Sequence, residues 1–195
     1  MIKKNLYFDI AATTPLNSDV TSHMNEINQT IFGNPSSIHQ VGQKAHNIIE
    51  RARKKIANSL HCKESEIYFT SGGSESNNIA LRGVLNKGDH LITSSYEHPA
   101  ILEVAKYLEK NEIEVSYINP DEDGIVKAKA INKAIKQNTK LISIMFANNE
   151  LGSTNPIEEI GQLCADKNIY LHSDAVQCVG KKNIRLNEST INILS

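Results

Sequence analysis

The chain has 195 residues, 39% of them hydrophobic, enough to bury a core without disulfide or metal staples. Lys plus Arg number 21 against 22 Asp plus Glu, a formal charge of −1. That balance gives no long-range attraction for nucleic-acid phosphates or anionic lipid, and with this apolar content it excludes a disordered chain.

Three cysteines, Cys62, Cys164 and Cys178, form no C-x-x-C pair, the usage of a reduced cytoplasmic protein, and they read as structural thiols. The N-terminus turns polar before a signal-peptide core forms, and the apolar stretch Leu141–Ala147 is too short to span a bilayer. No membrane and no nucleic acid are therefore expected as partners.

In chain order, residues 1–60 read as an N-terminal arm and residues 61–195 as an α/β domain. The arm holds Leu6–Asp9, a helix near Asp19–Gln29 and a long helix over Ser37–Leu60. Val41, Ala45, Ile48, Ile49, Ala52, Ile56 and Leu60 would form that helix's buried stripe. The basic run Arg51–Lys55 reads as its solvated face. His61-Cys62 lacks a second ligand pair at zinc spacing, so no metal is expected.

From Ile67 onward, short β-branched runs alternate with helical patterns. Ile67–Thr70 is predicted as a strand, Ser74–Leu85 as a helix and His90–Thr93 as a strand. Pro99 opens the next helix, where its missing N–H costs nothing. Glu114–Ile118 (strand), Lys127–Gln137 (helix), Leu141–Phe146 (strand), Pro156–Asp166 (helix) and Ile169–Ser173 (strand) follow. Alternation of this kind implies right-handed crossovers, a mostly parallel sheet and helices on both faces, an α/β fold. Ile191–Ser195 reads as a strand just entered, so the expectation is a chain truncated within a larger fold.

Ligands of open α/β sheets bind where strand ends lead into helices, and four such ends carry unusual residues. Thr70–Asn77 puts two glycines and several hydroxyls at a helix start, suited to an anion such as phosphate or to an ordinary helix cap. His98, just before Pro99, suits stacking on a flat ligand, proton transfer, or capping. Asn148-Asn149-Glu150 offers amides to a polar ligand or an Asx turn. His172-Ser173-Asp174 closes a central strand with a carboxylate that needs a cationic partner, or that caps a following helix. A phosphate cradle, a stacking imidazole and an acid beside an amide are together complementary to pyridoxal 5′-phosphate. Asp174 would stabilise the protonated ring nitrogen that makes this cofactor an electron sink, and Gln177 would donate to its phenolate oxygen.

Six ordered motifs carry a resemblance. They are Tyr7-Phe8-Asp9-x-Ala11-Ala12-Thr13-Thr14-Pro15, Phe32-Gly33-Asn34-Pro35-Ser36-Ser37-x-His39, Thr70-Ser71-Gly72-Gly73-Ser74-Glu75-Ser76, Glu97-His98, Asn148-Asn149-Glu150-x-Gly152 and His172-x-Asp174-Ala175-x-Gln177-x-x-Gly180-Lys181. In these the chain resembles the NifS/IscS-type cysteine desulfurases of the class V aminotransferase superfamily, with the large domain of PLP-dependent fold type I. The Phe-Gly-Asn-Pro-Ser-Ser segment favours that branch over the SufS-like one.

The resemblance implies desulfuration of L-cysteine to L-alanine, with persulfide sulfur passed to an iron–sulfur scaffold or to thionucleoside synthesis, in a homodimer. It places Gly73 and Ser74 at the phosphate, His98 on the ring and in proton transfer, and Asn149 as a contacting amide. It also puts Asp174 at the ring nitrogen and Gln177 at the ring oxygen. Gly73-Ser74 stands where many relatives have Ala-Thr. No residue of this chain matches the family's Schiff-base lysine, loop cysteine or substrate-carboxylate arginine, so the chain on its own is expected to be inactive. A non-enzymatic fragment, a selenocysteine lyase or an aminotransferase of the same superfamily are the alternatives.

Overall fold

The structure, a computed structural model, describes residues 6–10 and 12–195. Met1–Asn5, on which the signal-peptide reading rests, and Ala11 of the first motif lie outside the described residues. The chain divides into two compact units, one running to Ser59 and including Lys63–Ile67, the other made of Leu60–Cys62 and Tyr68–Ser195.

The first unit holds α1 (Ser18–Thr30) and α2 (Gln40–Leu60). Asn17 caps α1 by accepting from Asp19 N at 2.8 Å. The expected start of the long helix at Ser37 moves to Gln40, because Asn34 folds Ser36 and Ser37 into a turn and His39 Nδ1 accepts from Gly42 N. The expected stripe is also corrected: α2 buries Gly42, Ala45 and Ala57, while Val41 and Ile56 are 40% and 37% exposed. Close backbone approach explains the small residues, since a Cβ on Gly42 would stand 2.5 Å from the Asn34 carbonyl oxygen and one on Gly33 2.3 Å from that of Val41.

In the second unit, α3 (Gly73–Val84), β1 (His90–Ser94), α4 (Pro99–Glu109), β2 (Glu114–Ile118), α5 (Ala128–Ala134), β3 (Thr139–Ser143), α6 (Ile157–Asp166), β4 (Tyr170–Ser173) and β5 (Ile193–Leu194) follow in order. The strands form one parallel sheet in the order β2-β1-β3-β4-β5. Side-chain alternation then dictates two cores. Leu91 and Leu141 pack with Leu81 of α3 and Ile101 and Leu108 of α4 on one face. Ile92, Ile142 and Leu171 pack with Ile131 of α5 and Ile157 and Ile160 of α6 on the other. Each such side chain, removed fully from water, contributes roughly 1.5–3 kcal/mol. Helices on both faces and an all-parallel sheet are as expected for this fold.

Three more elements differ from expectation, the expected strand Leu141–Phe146 being Thr139–Ser143. Ile67–Thr70 is not a strand: Ile67 is extended but unpaired, Arg53 Nη1 donates to its carbonyl, and Tyr68 is 83% exposed, so the β-branched and aromatic run has no core to enter. The expected Lys127–Gln137 helix is only Ala128–Ala134, because Lys136 and Thr139 close a turn on each other that feeds β3. Among the described residues no helix is long and apolar enough to cross a membrane.

Gly161, inside α6, is required by packing. A Cβ there would fall 1.8 Å from Thr190 Oγ1 and 3.0 Å from Thr190 Cβ. Gly161→Ala should gain about 1 kcal/mol of helix propensity and lose about 1–3 kcal/mol to overpacking. A net loss of roughly 1 kcal/mol in urea unfolding, recovered in the Gly161→Ala/Thr190→Ala double variant, is expected.

Candidate cofactor site

The chain runs from β1 through α4 to β2 on one side of the sheet, then returns through α5 on the other side to β3. The order therefore reverses between β1 and β3, and the crevice outside the carboxyl ends of these strands is where such sheets bind ligands. His98, Asn149, Asp174 and Gln177 lie in the segments that follow β1, β3 and β4 at that end, and Asn77 of α3 bonds Asp174 there.

Gly72 precedes α3 without any side-chain cap, leaving the amides of Gly73 and Ser74 at the positive end of the helix. Glu75 is engaged elsewhere, accepting from Ser71 N at 2.5 Å, a bond that holds its carboxyl below the usual range. Gly73 approaches the loop after β4 so closely that a Cβ on it would lie 2.9 Å from Val176 Cγ2. One turn further, Asn77 Nδ2 donates to Asp174 Oδ2 at 2.8 Å, both side chains buried. The glycine turn and the acid thus border one region.

Asp174 caps no helix. Its Oδ1 accepts from Val176 N at 3.1 Å, an Asx turn that shapes the loop carrying Gln177. Gln177 is half-buried, and its Oε1 accepts from Lys181 Nζ at 3.0 Å. His98 is exposed and is the N-cap of α4, its Nδ1 accepting from Ala100 N at 3.1 Å, which leaves Nε2 free to face a ligand. In the Asn148-Asn149 pair the work divides. Asn148 closes the loop by accepting from Glu150 N and Leu151 N and donating to the Tyr96 carbonyl, and Asn149 beside it is half-buried.

Three features were not legible from sequence. The Asn77–Asp174 bond had one available signal, since Asn77 interrupts the apolar face of α3 marked by Ala80 and Leu81. A partly buried chain of polar contacts joins Ser143 Oγ to His172 Nδ1 (2.8 Å), His172 Nε2 to Ser195 Oγ (3.0 Å), and Ser195 Oγ to Ser76 Oγ (2.8 Å). Burial holds His172 at about 4, so the imidazole is neutral. Lastly, Glu97 is buried. Its Oε1 accepts from Ser94 Oγ at 2.5 Å and Met145 N at 3.0 Å, while Oε2 has no partner. Burial pushes its carboxyl up to about 8 against those two bonds, and the charge of Asp174 adds to the rise.

The donor set is a helix N-terminus with two glycines, a free imidazole nitrogen and a buried acid. It fits a flat, phosphorylated, ring-protonated molecule such as pyridoxal 5′-phosphate.

The model of the family "Aminotransferase class-V" matches residues 6–195, and the chain belongs to that family. Within it, the similarity is to cysteine desulfurases. The chain is 45% identical over 198 residues to Cysteine desulfurase IscS of Dictyoglomus turgidum, covering all of this chain and 50% of that one. It is 45% identical over 196 residues to Cysteine desulfurase IscS of Methanosarcina thermophila, covering 98% and 48%. The solved structure described as SspA in complex with cysteine superposes with a TM-score of 0.92 at 41% identity, covering 97% of this chain and 56% of that one. A NifS-like protein gives 0.89 at 38%, covering 94% and 52%. The chain spans about half the length of the curated relatives it matches.

Proposed function

We propose that residues 1–195 form the cofactor-gripping part of a PLP-dependent cysteine desulfurase acting on L-cysteine. The whole enzyme would be homodimeric and cytoplasmic and would deliver sulfur to an acceptor such as an iron–sulfur scaffold. The observation that carries this reading is the approach of Gly73 to Val176 beside the buried Asn77–Asp174 bond, which sets an anion cradle and an acid on one region.

The cofactor, when bound, supplies the electron sink for carbanion chemistry on an amino acid. The amides of Gly73 and Ser74 and the dipole of α3 would bind its phosphate. Asp174, fixed by Asn77 and by Val176 N, would keep a ring nitrogen protonated. His98, oriented through Nδ1, would present Nε2 over the ring to hold or pass a proton. Gln177 and Asn149 would contact the ring oxygen and its edge, Gln177 exchanging Lys181 for the ligand. Ser74, exposed at the helix start, adds a hydroxyl to the cradle.

Titration of the chain with pyridoxal 5′-phosphate, followed by the cofactor's visible absorbance, tests the reading. Saturable binding is expected. Gly73→Ala should weaken it by about tenfold, since Val176 must be displaced into the cradle's edge, and adding Val176→Ala should restore it. A chain that shows no saturable change contradicts the proposal.

A further inference from the structure

Asp174 is not the only buried acid at the strand ends: Glu97, beyond β1, is buried as well and has no part in the proposed chemistry. Glu97 and Asp174 are held by consecutive residues running on from β3: Met145 N donates to Glu97 Oε1 at 3.0 Å and Phe146 N donates to the Asp174 carbonyl at 2.8 Å. Asp174 receives an N–H on each carboxyl oxygen. Glu97 receives two donors on one oxygen, and its buried Oε2 receives none. Among the described residues none of the ion pairs includes Glu97. A buried carboxyl with one bare oxygen and no cation is stable only when that oxygen carries a proton.

We propose that Glu97 is a positioning residue that keeps its proton on the bare Oε2, so that the strand ends offer one negative charge rather than two to a cationic ring. The inference rests on the reading of Asp174 as the ring-nitrogen partner. It deepens that reading by saying what fixes the site's charge. The titratable groups that face Glu97 are Asp174, whose charge opposes its ionisation, and Tyr96, whose phenol is held high chiefly by burial and partly by Glu97 itself. Its chain neighbour His98 is occupied in capping α4. The charge of Asp174 adds to the cost that burial already sets on ionising Glu97. A cationic ring beside Asp174 would lower the cost of ionising Glu97, so cofactor affinity and the proton on Glu97 are linked.

Infrared spectra of the chain without cofactor test this through the band of a protonated carboxyl group. The band should be present at neutral pH, disappear with a midpoint near 8, and be missing from Glu97→Gln. In Asp174→Asn the midpoint should fall, because the opposing charge is gone. Affinity for pyridoxal 5′-phosphate should vary across that midpoint in the wild type and stay flat in Glu97→Gln. No band at neutral pH, or a midpoint that Asp174→Asn leaves unmoved, overturns the proposal. If the band behaves as stated but neither protein binds the cofactor, the function assigned above fails while the proton on Glu97 stands.

Discussion

Asp174→Asn should weaken pyridoxal 5′-phosphate binding by about 10- to 150-fold while leaving the fold intact. The separation of these effects follows from Asn77. In the native chain its Nδ2 donates to Asp174, and its Oδ1 is buried without a partner. An asparagine at 174 keeps an oxygen for Val176 N and turns an amide toward Asn77. If Asn77 rotates its own amide, its orphaned oxygen then accepts that new donor. The hydrogen-bond count is preserved and only the charge is lost, so urea unfolding should move by less than about 1 kcal/mol. A hydrogen bond to a charged partner contributes about 1.5–3 kcal/mol, which is the stated range of affinities. Asp174→Ala behaves differently, because it strands Val176 N and both ends of the Asn77 amide, and should cost stability as well as binding. Equilibrium titration beside denaturant unfolding on both variants checks the contrast. Equal loss of binding with no difference in stability would show that Asn77 does not support Asp174.

How far the sequence alone reached can be judged from the same residues. The sheet was legible because its central strands carry short β-branched and apolar stretches between helical periods, buried almost throughout at His90–Ser94 and Thr139–Ser143, while no residue of the edge strand Glu114–Ile118 is buried. Pro99 marked its helix to the residue, since proline favours only the first position. Ile67–Thr70 failed because β-branched and aromatic character says only that a residue tolerates extension, and the run is not one of the sheet's five strands. The α2 stripe failed because burial there is set by backbone contact at Gly33 and Gly42, which leaves room for alanine and excludes larger chains. At the site, residue types singled out Gly73, His98 and Asp174 as candidates, and the structure puts His98 after β1, Asp174 after β4 and Gly73 at the start of α3. Glu97 was readable only as a neighbour of His98. Its side chain turns inward to Ser94 of β1 and Met145 beyond β3, a long-range choice that no local period encodes.

Stability should peak near pH 6.5 and fall by about 2 kcal/mol between there and pH 8, a loss that Glu97→Gln removes. Two buried groups set this profile with opposite signs. Glu97 rises from 4.5 unfolded to about 8 folded, so the native chain keeps a proton the unfolded chain gives up. Its contribution is complete below 4.5 and is lost as pH climbs through 8. His172 drops from 6.5 to about 4, so the unfolded chain takes a proton the native chain refuses. Its contribution is complete above 6.5 and is lost as pH falls toward 4. Between 4.5 and 6.5 the two slopes nearly cancel. His90, pushed down by burial and by Lys136 while bonded to Thr139 and Ser116, tilts that stretch slightly toward loss at the acid end. Above 6.5 the histidines are neutral in both states and Glu97 acts alone. The remaining 1.5 pH units up to about 8 correspond to about 2 kcal/mol. Cys164 and Cys178, both raised by burial, add a fall in the same direction only once their unfolded thiols ionise near 9. The amide introduced by Glu97→Gln keeps an acceptor for Ser94 Oγ and Met145 N and carries no titrating proton. The variant's urea midpoint should therefore stay level from pH 6.5 to 8 while the native midpoint declines. A native profile that is flat over that interval would mean Glu97 is ionised within the fold, and the charge at the strand ends would then be two.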